Sequence, residues 1–550
     1  MKCLFLSYLL HIFKSESIRN VDYVICKARD RTFLQSWQIV YMLRLSRSLL
    51  RTLYKGISTS MGNPVSVQEC KRPKMDPYLN SCYNQNNASA MCSIPFNTAS
   101  DNAIYCPSDT YETSYGVKAN VCRTSANCLP GNQAFDRQRY NTIRKWKRFG
   151  KGKPNSNAEN YFTLRLLSFN ILAQNLLETH SYLYKDHDPA ALSWVTRKPL
   201  VLQEIFEAEA NIICLQEVLE DHLLDFVAPF RELEYEYLYK RRTNDKKDGL
   251  LLLYRGDQFT LLDYAKVELY QSGVDILNRD NVGIIAKLSL RDSPETQIVV
   301  ATTHLLYNPR RNDVRLAQTQ LLLAEIERIA FIENTQKGPK YLPIILAGDF
   351  NLTPFSAVYK FLTEGSFEYY GKGRNLEPSE YHSLPNSLIP PRLCVTDNCQ
   401  HFNVLTQRLR KEGNGRVMLE NSESVPQRTQ NTHTSCSTSG VNINTSRMQV
   451  IKITEDHLVK FSSGILTHPF DMRSVYTHAN AKGEMEATTH QDEWITVDYI
   501  FYSNIQPVEK YILPTVNQCT TLPTIPNFVV GSDHLSIGAT FRLSRKKSPL

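Results

Sequence analysis

Six short motifs, each at the end of an apolar, strand-like run or just inside one, limit how this chain can fold. In order they are Ser168-Phe169-Asn170, Gln216-Glu217, Thr303-His304, Gly348-Asp349-Phe350-Asn351, Val497-Asp498-Tyr499 and Ser532-Asp533-His534. In the first four the apolar run ends in the polar group, Asp498 sits inside its run, and the last motif precedes Leu535-Ser536-Ile537. Carboxylates, amides and two histidines held on strands and at their ends are the side chains that metal-assisted phosphoester chemistry needs. The order of the set says more than any one member.

The rest of the patterning gives the class. Phe162, Leu164 and Leu166 alternate into Ser168, and residues 249–254, 282–290, 298–303 and 342–347 read as further strands. A helical pattern spans 198–210, and the strongest predicted helix spans 313–333, with Asp313 as its N-cap. Strand patterning returns at 495–502 and 535–541. Helix and strand therefore mix throughout a folded body at 161–545, which predicts α and β layers and excludes all-α and all-β folds. With 42% hydrophobic residues among 550, one large core is affordable. A polar insertion at about 400–450, Ser/Thr/Asn-rich over 416–446, is expected to be disordered.

Net charge is +8, but residues 1–150 hold 21 Lys/Arg against 9 Asp/Glu, leaving 42 against 46 in the remainder. The basic character belongs to the leader, so a uniformly basic nucleic-acid groove in the body does not follow. Residues 1–60 form a basic leader in which no apolar stretch approaches the roughly 20 residues of a membrane span. From Met42, regularly spaced arginines with Leu and Ser and no acid before Glu69 predict a mitochondrial transit helix, with an ordinary basic leader as the alternative. The location expected is intracellular: mitochondrial through that leader, otherwise cytoplasmic or nuclear. Residues 61–135 are expected to be a disordered linker. The basic segment 136–160 leads into the domain, either contacting RNA or docking a short helix through its aromatics. Eight of the 13 cysteines precede residue 130 without any C-x-x-C pair, which disfavours a zinc module.

Magnesium favours oxygen ligands, and Glu217, with Asn170 beside it and Asp533 opposite, is the predicted set. After the strand at 342–347, Asp349 and Asn351 are expected to point the same way at i, i+2. One would orient or deprotonate water and the other bind a phosphate oxygen, unless the pair merely closes the strand in an Asx turn. A carboxylate bonded to one imidazole nitrogen fixes the tautomer and favours the cation, which predicts an Asp498–His534 pair beside His304. Arg310 and Arg311, just beyond His304, offer forks suited to RNA phosphate, or else are exposed residues at a helix entry.

This ordered set resembles the exonuclease–endonuclease–phosphatase superfamily over roughly 160–545. The resemblance implies a DNase I-like fold, a four-layer α/β/β/α sandwich with its active site at one edge. It implies that Glu217 and Asn170 bind Mg²⁺ (or Mn²⁺), that Asp349 handles water, and that Asn351 and His304 meet the phosphate. Asp498 would orient His534, with Asp533 adjacent. The stretches 168–174, 280–283 and 304–315 are similar to the deadenylase-related branch. Asn308-Pro309-Arg310-Arg311, Ser474-Val475-Tyr476, Glu486-Ala487-Thr488-Thr489 and residues 496–503 are similar to its Angel family, placing Asn308, Arg310 and Arg311 on the substrate side. Leu352-Thr353-Pro354 departs from the commoner small polar residue after the Asn.

The activity this implies is Mg²⁺-dependent hydrolysis at RNA 3′ ends, opening and removing a 2′,3′-cyclic phosphate to leave hydroxyls. A poly(A)-specific 3′-exoribonuclease uses the same residues and is the first alternative. An adaptor binding RNA or a translation factor is the second; Tyr161 with Leu166-Leu167 matches a docking pattern, but the segment leads into Asn170 as a core strand, so its side chains are expected to be unavailable. The expected partner is an RNA 3′ end, and the chain identifies no particular protein partner.

Overall fold

The computed structural model describes residues 137–150, 160–411, 449–454, 457–490, 493–520 and 522–546. The leader with Met42, the linker 61–135 and most of the 400–450 insertion lie outside them. Thirteen strands form two large sheets. In chain order they begin with β1 (Trp146–Arg148), β2 (Tyr161–Asn170), β3 (Ile212–Leu219), β4 (Tyr235–Arg241), β5 (Asp248–Arg255) and β6 (Phe259–Glu268). There follow β7 (Val282–Leu290), β8 (Ser293–His304), β9 (Ile344–Asp349), β10 (Arg473–Ser474), β11 (Asp498–Ser503), β12 (Gln506–Tyr511) and β13 (Ile537–Ser544). One sheet runs β1-β12-β13-β2-β3-β5-β4 and the other β10-β11-β9-β8-β7-β6.

Alternation along the strands explains the stacking. Leu164, Leu166, Ile212 and Cys214 point inward to meet Ile284, Val300, Ile345, Ala347 and Ile500 of the facing sheet. Their neighbours Leu167, Phe169, Ile213 and Leu215 point outward, under the helices Trp194–Ala208 (α1) and Leu223–Glu232 (α2). On the far side Val299, Ala301, Leu346 and Phe501 point outward beneath Asn312–Ala330 (α3) and Ala357–Glu364 (α4). Strands apolar on both faces are buried on both faces, which is why they read as continuous hydrophobic runs. The result is the expected α/β/β/α sandwich. Among the described residues no helix is long and apolar enough to cross a membrane.

Three expectations change. The body begins before Tyr161: a short helix at Arg137–Ile143 buries Tyr140, and β1 adds an edge strand beside β12. The helix expected at 313–333 covers Asn312–Ala330, because the chain turns at Phe331 into a hairpin, Phe331–Thr335 with Gly338–Tyr341. Asp313 is not its cap; it lies in the first turn, where a carboxylate suits the helix dipole. The insertion placed from about 400 is helical over Phe402–Lys411, whose Arg408 binds the buried Glu327 at 2.7 Å. Leu166 and Leu167 are fully buried in β2, so the adaptor-type docking pattern there is unavailable.

The N-terminal segment is locked by charge. Glu204 of α1 accepts from Arg137 (2.8 Å), Ser536 (2.7 Å) and Tyr140 (3.2 Å), with Arg144 at 3.7 Å. Burial alone would push this carboxyl up, but Arg137, Arg144 and the Ser536 hydroxyl outweigh it and hold it below its ordinary 4.5. Removing one member of a buried pair strands the others, so Glu204→Ala is expected to cost about 3–5 kcal/mol in chemical denaturation. Because the folded pKa is depressed, this contribution is complete above about pH 4.5 and is lost as pH falls through the lower folded value. The wild-type advantage over the variant should shrink over that acid range.

Candidate active site

Two parallel strand pairs bring the polar tips together. β2 lies parallel to β3 with Asn170 opposite Gln216, and β8 lies parallel to β9 with His304 opposite Asp349. On the other side of β9, antiparallel β11 starts at Asp498, paired with Asp349. Asp498 is thus the first residue of its strand, not an interior one. His304, Asp349 and Asp498 stand in one row across three strands. His534 arrives from the segment before β13, fixed by a bridge between Thr489 and His534.

Within this row the contacts are close. Asp498 meets His534 Nδ1 at 2.9 Å; Asp349 Oδ2 lies 3.8 Å from His534 Nε2 and 3.5 Å from His304 Nε2. Burial pulls His534 down, but Asp498, with Asp533 and Asp349, raises it well above its ordinary value, so it is an imidazolium. Burial, then the Arg242 charge, lowers His304 to about 3, leaving it neutral. Burial and the neighbouring Asp498 raise Asp349 to about 7. One acid near neutrality, one cationic imidazole and one neutral imidazole are thus held together.

Glu217 occupies a bulge in β3 at φ 61°, where the pairing with β5 shifts between Leu215 and Val218. The bulge re-aims its side chain toward Asn170, as bulges beside active sites do. Asn170 donates to Glu217 and to Asp349, both at 3.0 Å, while its oxygen accepts from the Leu172 N–H at 3.1 Å. Its part is therefore to bridge two carboxylates, and its oxygen is already engaged. The other Glu217 oxygen accepts from the Ala173 N–H at 2.9 Å. Burial, then the charge of Asp533, raises the Glu217 pKa. Among the described residues neither Glu217 nor Asp533 has a cationic partner at ion-pair distance, although Asp533 accepts from the Tyr184 hydroxyl at 2.7 Å. Two carboxylates lacking a cation, Asp533 buried and Glu217 half-buried, suit a hard divalent ion. Asp349, Asp498 and His534 also lie within 4.8 Å of one another, but that imidazole is cationic and already bonded, which suits proton transfer better.

The remaining predicted residues divide. Asn351 does not extend the strand beside Asp349. It turns back at φ 52°, its N–H bonding Asp349 Oδ1 at 2.9 Å, which is the Asx turn, and its amide holds Leu305 O at 3.1 Å. Arg311 is not free for phosphate, since both of its bonds go to Asp313 at 2.9 Å. Asn308 caps its own loop by accepting from the Arg310 N–H at 3.0 Å, and Arg310 is exposed.

Sequence reasoning missed the struts. Fully buried Arg197 donates to Ile171 O (3.1 Å), Leu172 O (2.9 Å) and Gly531 O (3.0 Å), clamping the loop after Asn170 to the one before Asp533. Arg315 holds Leu306 O, Asn308 O and Pro309 O at 2.7, 2.8 and 3.1 Å, shaping the loop after His304. Asn281 donates to His304 O at 3.0 Å and is itself held by Gln318 at 2.9 Å. Arginines spent on backbone carbonyls leave no signal in a linear pattern, because a carbonyl acceptor is carried by every residue type; the Asn281 neighbourhood was visible only through the family resemblance.

Fold and site define a phosphoesterase, and the chain belongs to the Endonuclease/Exonuclease/phosphatase family, whose model matches residues 167–534. Its relatives within that family include the Angel proteins. It is 34% identical over 415 residues to Protein angel homolog 2 of Bos taurus, 70% of each chain, and 29% identical over 410 residues to Protein angel of Drosophila melanogaster, 72% of this chain and 86% of that one. Among solved structures, ANGEL2, a 2′,3′-cyclic phosphatase, in complex with adenosine-2′,3′-vanadate, superposes with a TM-score of 0.56 at 33% identity, covering 73% of this chain and 98% of its own.

If Glu217 and Asp533 hold the cation, millimolar Mg²⁺ should raise Tm in the wild-type protein, by the linkage that stabilises any folded state a ligand prefers. Glu217→Gln should abolish that rise while leaving the metal-free Tm unchanged or higher, because it removes one of two mutually repelling charges.

Proposed function

We propose that this chain is a Mg²⁺-dependent phosphohydrolase that opens 2′,3′-cyclic phosphates at RNA 3′ ends and removes the resulting phosphate. The observation that carries the reading is the likeness to the 2′,3′-cyclic phosphatase ANGEL2 over a site in which every expected catalytic position is filled. A divalent ion at Glu217 and Asp533 would neutralise phosphate charge and favour attack at phosphorus.

The side chains supply the rest. Asp349, poised near neutrality, takes a proton from the attacking water, and Asn170 and the Asn351 N–H fix its two oxygens. His534 keeps its Nδ1 proton on Asp498 and offers its Nε2 proton to the ribose oxygen that leaves as the ring P–O bond breaks. Once Asp349 has lost that proton to solvent and His534 has regained one, a second water attacks the same phosphorus; the remaining ribose P–O bond breaks, its oxygen takes the proton from His534, and inorganic phosphate leaves both hydroxyls behind. Neutral His304 faces the same space, where an imidazole N–H can donate to a phosphate oxygen.

Residues 137–550 with Mg²⁺ should release phosphate from RNA ending in a 2′,3′-cyclic phosphate without shortening a poly(A) tail that ends in a 3′-hydroxyl. Asp349→Asn and His534→Ala should each lower the rate by about 10²–10⁴-fold, the range of general acid–base catalysis. A ladder of released AMP from poly(A) would instead mark a deadenylase.

A further inference from the structure

Phe355 has no role in the chemistry above. It is 54% exposed and sits at φ 63°, a left-handed conformation that bulky side chains rarely adopt. Strain of this kind is usually relieved by glycine or outweighed by burial, and neither holds here. The ring is nevertheless well supported. It meets Tyr359 edge-to-face at 5.6 Å and the buried His478 at 6.0 Å. His478 is in turn fixed by the Ser474 hydroxyl at 3.2 Å and the Tyr359 hydroxyl at 3.1 Å.

The backbone beneath it is tied to the catalytic row. Four residues earlier Asn351 bonds Asp349 and Leu305 O, and the Tyr499 hydroxyl holds Leu352 O at 2.8 Å. The Ser356 N–H closes a turn on Thr353 O at 3.3 Å. Phe355 is therefore a rigid aromatic at the end of β9 where Asp349 lies. Leu352 is buried, Pro354, Ser356 and Ala357 are half-buried and Thr353 is exposed, so Phe355 is the one large apolar side chain this loop exposes, a single ring and not the broad apolar patch that would suit a protein partner.

We infer that Phe355 is a stacking platform for a nucleobase at or next to the 3′ end of a single-stranded RNA. An exposed, pre-set π face is what sequence-tolerant recognition of unpaired bases uses. The inference rests on the reading of RNA ends as substrate, and it adds that the base, not only the phosphate, is held.

The test is equilibrium binding of a short RNA carrying 2-aminopurine at its last two positions, in the Asp349→Asn background so that the end is not consumed. Fluorescence should be quenched on binding. Adding Phe355→Ala should remove the quenching and weaken affinity by about 5- to 140-fold, equivalent to ~1–3 kcal/mol at 1.4 kcal/mol per tenfold. Phe355→Tyr should restore both, and RNA abasic at those two positions should bind all three proteins alike. Phe355→Gly should leave Tm unchanged or raise it, because glycine relieves the left-handed strain. Unaltered quenching and affinity in Phe355→Ala would overturn the platform, as would a drop in Tm for Phe355→Gly with affinity unchanged, which marks the ring as packing. Turnover of cyclic-phosphate RNA by the wild-type protein is scored separately: its absence would remove the proposed reaction, while the binding result alone decides the platform.

Discussion

The register of three adjacent strands is the constraint on which the site depends. Parallel β8 and β9 end side by side and antiparallel β11 begins there, so His304, Asp349 and Asp498 must share one row. A slip of one residue in any of them would turn its apolar set out of the core and its polar tip away from the row. The core in turn enforces the electrostatics. Two carboxylates are placed side by side where water is scarce, and one of them, Asp349, is pushed up to about 7. Packing energy from the sandwich is what holds these like charges together.

Buried cations complete the arrangement without quenching it. Arg197 and Arg315 spend most of their bonds on backbone carbonyls, so they shape the loops around the site while Glu217 and Asp533, among the described residues, keep no cation at ion-pair distance. Burial lowers Arg197 to about 10, still far above neutrality, so it stays charged. The N-terminal segment works the same way at longer range. Arg144 reaches Ser536, two residues beyond His534, and Glu204 ties both to α1. The segment read as a basic approach to the domain is part of its framework.

Much of this was legible in the chain. Strands buried on both faces announce themselves as apolar runs, and the polar residues that interrupt or end them stand out, so Asn170, Glu217, His304, Asp349, Asp498 and His534, which the structure brings together, can all be picked out of the chain. What failed was local geometry. The bulge that turns Glu217 needs left-handed backbone at a non-glycine residue, which no sequence pattern marks, whereas the reversal at Asn351 is the Asx turn that stood as the alternative to an extended pair. Arg311 looked free because its partner Asp313 was assigned to capping a helix that begins one residue earlier. Arg197, Tyr184 and Arg315 act through tertiary contacts that no periodicity encodes.

The central claim is that strand register and burial, with the charge of Asp498, make Asp349 a base poised near neutrality. A ¹³C-carboxyl NMR titration of Asp349 in the metal-free protein tests it most directly. The account predicts a transition near pH 7 in the wild-type protein and a lower one in Asp498→Asn, where the neighbouring charge is gone. Titration at about 4 in both, the value of an unperturbed aspartate, would contradict it.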